Sequence, residues 1–163
     1  MEHLYLVDEN DEVLGIKPRH EVNSNDRCRI VLLWVENDRG EVLLVRRAHT
    51  KKTFPGLWSY AVTGAVSHPE SYDEAIVREM EEELGIKGFK PEALIKMNRD
   101  FAQGKCVGQF YKLVIPNDYE LIPDKEEVAE IKWVSKNELP ELILNDIDQF
   151  VHRFDEEIKH FLN

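Results

Sequence analysis

Three carboxylates offer the plainest chemistry in this sequence. Glu79, Glu82 and Glu83 stand at i, i+3 and i+4, so a helix would put them on one face within a turn. Like charges that close cost a helix a few tenths of a kcal/mol per pair, roughly. A divalent cation offsets such repulsion, and clustered hard oxygens suit Mg²⁺ or Mn²⁺. A metal bound there would polarise a phosphoryl oxygen and lower the pKa of a bound water. Taken alone, the three residues also fit a solvated acidic face, so the surrounding sequence must decide.

Local signals supply the helix. Ser71 and Glu74 form an S-x-x-E capping box, strong helix formers follow to residue 84, and Gly85 ends the run. Ile76, Met80 and Leu84 make an apolar stripe beside the glutamates, which places the carboxylates at the border of core and solvent.

Upstream, the spacing is specific. Gly64, Glu70 and Arg78-Glu79-Met80-Glu81-Glu82-Glu83-Leu84-Gly85-Ile86 fit G-x5-E-x7-R-E-U-x-E-E-x-G-U at every fixed position, with U a bulky aliphatic residue. The chain therefore resembles the Nudix hydrolases, with the box at 64–86. The resemblance implies an α/β fold, a Nudix-type α/β/α sandwich with a mixed β-sheet. It implies Mg²⁺-dependent cleavage of a diphosphate linkage in a nucleoside diphosphate derivative, with Mn²⁺ as the other candidate ion. Nucleoside di- and triphosphates, nucleotide sugars and dinucleotides all remain open as substrates.

Carried over residue by residue, Glu82 and Glu83 are metal ligands, and Glu79 joins them or orients the water. Glu79 and Glu82 are the catalytic candidates, and a backbone carbonyl near Gly64 completes the metal set. Arg78 orients the carboxylates and Glu70 pairs with it, both structural roles. Many relatives add a carboxylate from a loop outside the box. Glu126 and Glu127 are candidates with Glu130 behind, although a solvated acidic loop is the simpler reading for any one of them.

The strongest local positive charge is Arg46, Arg47, His49, Lys51 and Lys52, just before Phe54-Pro55-Gly56-Leu57-Trp58. Arg46, Arg47 and Lys51 are the expected clamp for substrate phosphates. These residues and Ser67-His68-Pro69 resemble type 1 isopentenyl diphosphate isomerase, a proton-transfer enzyme of the same superfamily. That chemistry needs a cysteine and a histidine in the strand entering the box. Counting from Trp58, their places hold Thr63 and Ala65, and a threonine hydroxyl does not titrate like a thiol near neutral pH. An isomerase-like hydrolase is expected. An isomerase and a non-catalytic nucleotide-sensing module are the alternatives, the latter disfavoured by the intact carboxylates.

Composition bounds the rest. The 163 residues read as one domain, 1–163, with an N-terminal hairpin extension over 1–25. A net charge of −11 argues against a nucleic-acid partner, so small anions need a bound cation and a local basic cluster. Cys28 and Cys106 make no metal-ligand spacing, and Cys106 is expected to be a buried structural residue. The first residues show no secretory pattern, and the longest apolar run, 30–35, is too short for a membrane. A cytoplasmic protein with a small-molecule diphosphate substrate and no membrane partner follows as the expectation. Family habit adds a homodimer.

Strands are expected at 4–7, 13–16, 28–35, 41–45, 59–66, 93–97, 106–115 and 131–134, with 28–35 buried on both faces. Besides the box helix, a short helix capped by Ser135 should run through Ile143, disturbed near its middle by Pro140. A last amphipathic helix is expected over 146–161, from the spacing of Ile147, Phe150, Val151, Phe154, Ile158 and Phe161.

Overall fold

A computed structural model describes residues 1–162. The longest apolar strand forms its centre. That strand, β3 (Arg27–Asn37), has Val31, Leu33 and Val35 on one face and Leu32 and Trp34 on the other, all buried. Alternation sends the odd set into one core and the even set into a second. The protein is therefore layered on both faces of a sheet.

Eight further strands complete that sheet. β1 (His3–Val7) and β2 (Val13–Pro18) form the N-terminal hairpin. β4 (Glu41–Arg47) returns from β3 through the turn at Asn37–Gly40. β5 (Trp58–Ser59) and β6 (Val62–Ala65) follow, then helix α1 (Tyr72–Leu84). β7 (Glu92–Phe101) and β8 (Gly104–Ile115) make a hairpin, and β9 (Val128–Ser135) pairs with β4. β3 runs parallel to β8 from Arg27 to Asn37 and antiparallel to β6, so the sheet is mixed.

The first core packs α1, through Ala75, Ile76, Met80 and Leu84, against the odd residues of β3. The second core holds Leu32, Trp34, Tyr60 and Phe110 under the C-terminal segment, where the Phe161 ring stacks on Trp34 at 4.7 Å.

Three expectations change. The strand expected over 59–66 is two strands, because the chain leaves β4 after Ser59 and joins β3 at Val62. The helix after Ser135 is α2 (Leu139–Asn145), and Pro140 lies in its first turn, where no N–H donor is needed. Residues 146–161 do not form one helix. Phe150 is extended and bridges to Trp58, Val151 donates to the Trp58 carbonyl at 3.0 Å, and Arg153 turns left-handed at φ 65°. Only α3 (Phe154–Glu157) is α-helical there, between 3₁₀ turns. Phe150, Val151, Phe154, Ile158 and Phe161 still reach the second core, while Ile147 is exposed, so tertiary pairing overrode the helical period. No helix of the described residues is long and apolar enough to cross a membrane.

Candidate active site

α1 is fixed at both ends. Ser71 Oγ accepts from Glu74 N–H at 3.1 Å, and Glu74 returns the bond to Ser71 N–H at 2.7 Å. Gly85 closes the helix at φ 68°, donating to the Glu81 carbonyl at 3.0 Å; a left-handed cap of this kind favours glycine. This helix carries Arg78, Glu79, Met80, Glu82 and Glu83 of the box.

Arg78 organises the carboxylates. Its Nε and Nη2 donate to both oxygens of Glu70, at 3.0 and 2.6 Å. Nη1 reaches Glu79 at 2.9 Å and Glu82 at 3.2 Å, and Nη2 also donates to the Ala65 carbonyl at 3.2 Å. The hydrogen bond to Glu70 leads the causes that raise the Arg78 pKa, so its charge is permanent. Glu70 is itself held by the Ser67 N–H at 2.7 Å. Gly64 lies beside Glu79, and a Cβ at position 64 would collide with the Glu79 carboxylate.

Glu83 is buried, only 8% exposed, and its carboxylate has no hydrogen bond or ion pair among the described residues. Burial pushes its pKa well above the ordinary carboxylate range, and Glu79 and Glu127 push it further; Lys51 and Arg47 pull it back. Burial also raises Glu79, against the pull of Arg78 and with help from Glu82 and Glu127. A cation between these groups would relieve burial and repulsion together, so the donor set fits a hard divalent ion. Among the described residues no three His, Cys, Asp or Glu side chains converge on one point. Glu79 faces Arg78, Glu127 faces Lys51 at 2.6 Å, and Glu82 stands 58% exposed on the outer side of α1.

A cleft of about 980 Å³ opens beside Gly64. Arg47 lines it. Its Nε donates to the Thr53 carbonyl at 2.9 Å, Nη1 to Thr63 Oγ1 at 3.0 Å and Nη2 to Thr53 Oγ1 at 3.2 Å. Burial lowers its pKa while Glu83 and Glu127 oppose the shift. Lys51 and Glu127 share the same wall. Arg46 is not part of it: Nε donates to the Gly56 carbonyl at 2.9 Å, and Nη1 lies 3.7 Å from Glu130. Glu126 lines the cleft with Glu127, while Glu130 remains with Arg46. Cys106, expected to be buried, is half-buried and also lines the cleft.

A match to the NUDIX domain family covers residues 26–154. The chain belongs to the Nudix family. It is 42% identical over 141 residues to an uncharacterized Nudix hydrolase of Streptomyces coelicolor, covering 85% of this chain and 77% of that one. It is 29% identical over 140 residues to the isopentenyl-diphosphate Delta-isomerase of Saccharopolyspora erythraea, covering 82% and 72%. A crystal structure from Deinococcus radiodurans superposes with a TM-score of 0.77 over 97% of this chain and 98% of that one, at 24% identity, which supports the Nudix fold. The mixed sheet and flanking helices are thus the expected α/β sandwich.

Some site residues were not foreseen. Thr53 orients Arg47, yet a threonine in a loop carries no signal of that role. Arg99 lines the cleft and is buried with Glu157. Its signal was present: Ile95, Met97 and Arg99 share one strand face, and a cation on an otherwise apolar face requires a partner.

Proposed function

We propose that this Nudix-family chain is a divalent-metal-dependent hydrolase that cleaves a diphosphate linkage in a nucleoside diphosphate derivative. The observation that carries the reading is Glu83, a buried carboxylate that forms no ion pair among the described residues, with Glu79 and Glu127 crowding it and Lys51 and Arg47 the nearby cations. Glu83, Glu82 and Glu79, with the backbone at Gly64, would hold Mg²⁺ or Mn²⁺; Glu127 is the added carboxylate from outside the box. The ion supplies charge neutralisation at the phosphoryl oxygens and a more acidic bound water.

The chain's own groups do the rest. Arg78 holds the Glu79 carboxylate beside Gly64 and opposes the burial that disfavours its charge. Glu79 is placed to orient a water and accept its proton. Arg47, held by Thr53 and Thr63, donates to a bridging or terminal phosphate oxygen, and Lys51 adds charge at the same wall. The leaving phosphate departs as an anion stabilised by these two cations.

An isomerase reading has the 29% identical relative in its favour. Against it, the strand entering the box presents Thr63, whose hydroxyl is already accepting from Arg47. The deciding experiment is release of phosphate or nucleotide from a panel of nucleoside di- and triphosphates, nucleotide sugars and dinucleotides, with Mg²⁺, Mn²⁺ or EDTA. Turnover that EDTA abolishes supports the hydrolase. Proton exchange on isopentenyl diphosphate, without hydrolysis of any panel member, would replace it with the isomerase.

A further inference from the structure

The N-terminal hairpin lies outside residues 26–154, the part matched to the family, yet it touches the box directly. β1 runs beside the loop that links β6 to α1. Leu4 bridges to Ser67, and the His68 N–H donates to the His3 carbonyl at 2.8 Å. The Tyr5 ring meets the His68 ring edge to face, with centres 5.2 Å apart. This loop supplies Glu70, the residue that grips Arg78.

Ser67 stands between two carboxylates. Its Oγ donates to Glu2 Oε1 at 2.5 Å, and its N–H donates to Glu70 Oε1 at 2.7 Å. Each carboxylate holds a guanidinium in turn. Arg19 Nη1 donates to the two Glu2 oxygens at 2.9 and 3.2 Å, and the Arg19 N–H donates to the Glu2 carbonyl at 3.0 Å. Arg78 takes both oxygens of Glu70 and, through Nη1, reaches Glu79 and Glu82. Contacts are therefore continuous from Arg19 through Glu2, Ser67, Glu70 and Arg78 to the carboxylates of α1. Burial alone would raise the Glu2 pKa, but the bonds from Ser67 and Arg19 outweigh it and lower it.

The helix fixes the backbone of Glu79 and Glu82 but not their side chains. Arg78 sets those. An arginine has much rotamer freedom to lose, so Arg78 stays in place only as far as its acceptors do. Glu70 lies outside α1, on the loop that Ser67 anchors. With Ser67 released from Glu2, its N–H no longer holds Glu70 Oε1, and Arg78 can follow the exposed Glu82 outward. Functional groups must be held within about 0.5 Å of their working geometry. A hydrogen bond at Glu2 thus acts on the groups that would hold the ion.

We propose that Glu2 and Ser67 are positioning residues of the active site, setting the metal-binding carboxylates through Glu70 and Arg78. The proposal rests on the metal reading of Glu79, Glu82 and Glu83 given above. Its test compares the full wild-type chain with Ser67→Ala, Glu2→Ala, Ser67→Thr and Lys17→Ala. The first readout is taken in EDTA: proton exchange at the Arg78 Nε–H, followed by NMR, should quicken in Ser67→Ala and Glu2→Ala. The second is Mn²⁺ affinity by electron paramagnetic resonance, which should weaken about tenfold in the same two variants. Turnover should lose kcat by a similar factor while KM stays within about twofold. Ser67→Thr keeps the hydroxyl and should behave as wild type in all three. Lys17→Ala breaks the hairpin's other ion pair, to Asp26 at 2.8 Å, and should change none of them. Wild-type Mn²⁺ affinity in Ser67→Ala and Glu2→Ala, unchanged exchange there, no recovery in Ser67→Thr, or the same loss in Lys17→Ala would overturn the positioning role and leave the hydrolase reading intact. A wild type that binds no Mn²⁺ would overturn the hydrolase reading, and the positioning role with it.

Discussion

The Asp124 N–H donates to the Glu83 carbonyl at 2.9 Å. A second bond, from Ile122 N–H to the Leu84 carbonyl at 2.8 Å, lies beside it. The loop before β9 is therefore fastened to the C-terminal end of α1, which has carbonyls to spare. That fastening brings Glu127, far away in sequence, to the wall beside Glu83.

Glu83→Gln tests whether the buried carboxylate serves function. Glutamine has the same shape and needs no cation. Metal-dependent turnover should fall by about a hundredfold or more if the side chain holds the ion. The melting temperature in EDTA should not fall, because burial and the neighbouring Glu79 and Glu127 already disfavour the charged carboxylate there. Steady-state rates and a thermal melt check both halves.

Arg46 and Arg47 are neighbours in sequence with opposite surroundings. Arg47→Ala should raise KM for the diphosphate substrate by about tenfold, the loss of one charge-assisted hydrogen bond. Arg46→Ala should leave KM within about twofold, since its side chain holds the Gly56 carbonyl outside the cleft. Equal effects in the two variants would move the phosphate site.

Gly64→Ala should impair catalysis without unfolding the chain. The added methyl meets the Glu79 carboxylate, which must then turn away from its place. The expected loss in kcat is about tenfold or more, with far-UV circular dichroism unchanged.

Asp11 provides a pH-dependent stability test away from the cleft. Burial would raise its pKa, but hydrogen bonds from Lys96, Arg29 and Tyr72 outweigh this and lower it. A carboxyl with a depressed folded pKa stabilises the fold above its unfolded pKa, and that contribution is lost as pH falls through the folded value. Asp11→Asn, whose side chain tolerates the φ of 65°, should destabilise the protein at pH 7. Urea denaturation should show the gap to wild type closing as pH falls below the unfolded aspartate range.

What the sequence revealed was local. The α1 caps, its apolar stripe and its carboxylates all lie within one stretch of the box, so spacing alone defined them. Arg47 and Arg46 shared every sequence signal, and only strand alternation against β5 and β9 separates them. Glu126, Glu127 and Glu130 sat in one acidic loop, and the Glu83–Asp124 bond determines which reaches α1. The end of the chain misled for a related reason. Its apolar spacing suited a helix, but pairing of Phe150 with Trp58 satisfied the backbone another way.

The most direct test of the proposed metal site is Mn²⁺ binding, followed by electron paramagnetic resonance, in the wild type and in Glu83→Gln. Saturable binding by the wild type, weakened about tenfold to a hundredfold in Glu83→Gln, is expected. Equal Mn²⁺ affinity in the two proteins would contradict the assignment of the buried carboxylate as a metal ligand.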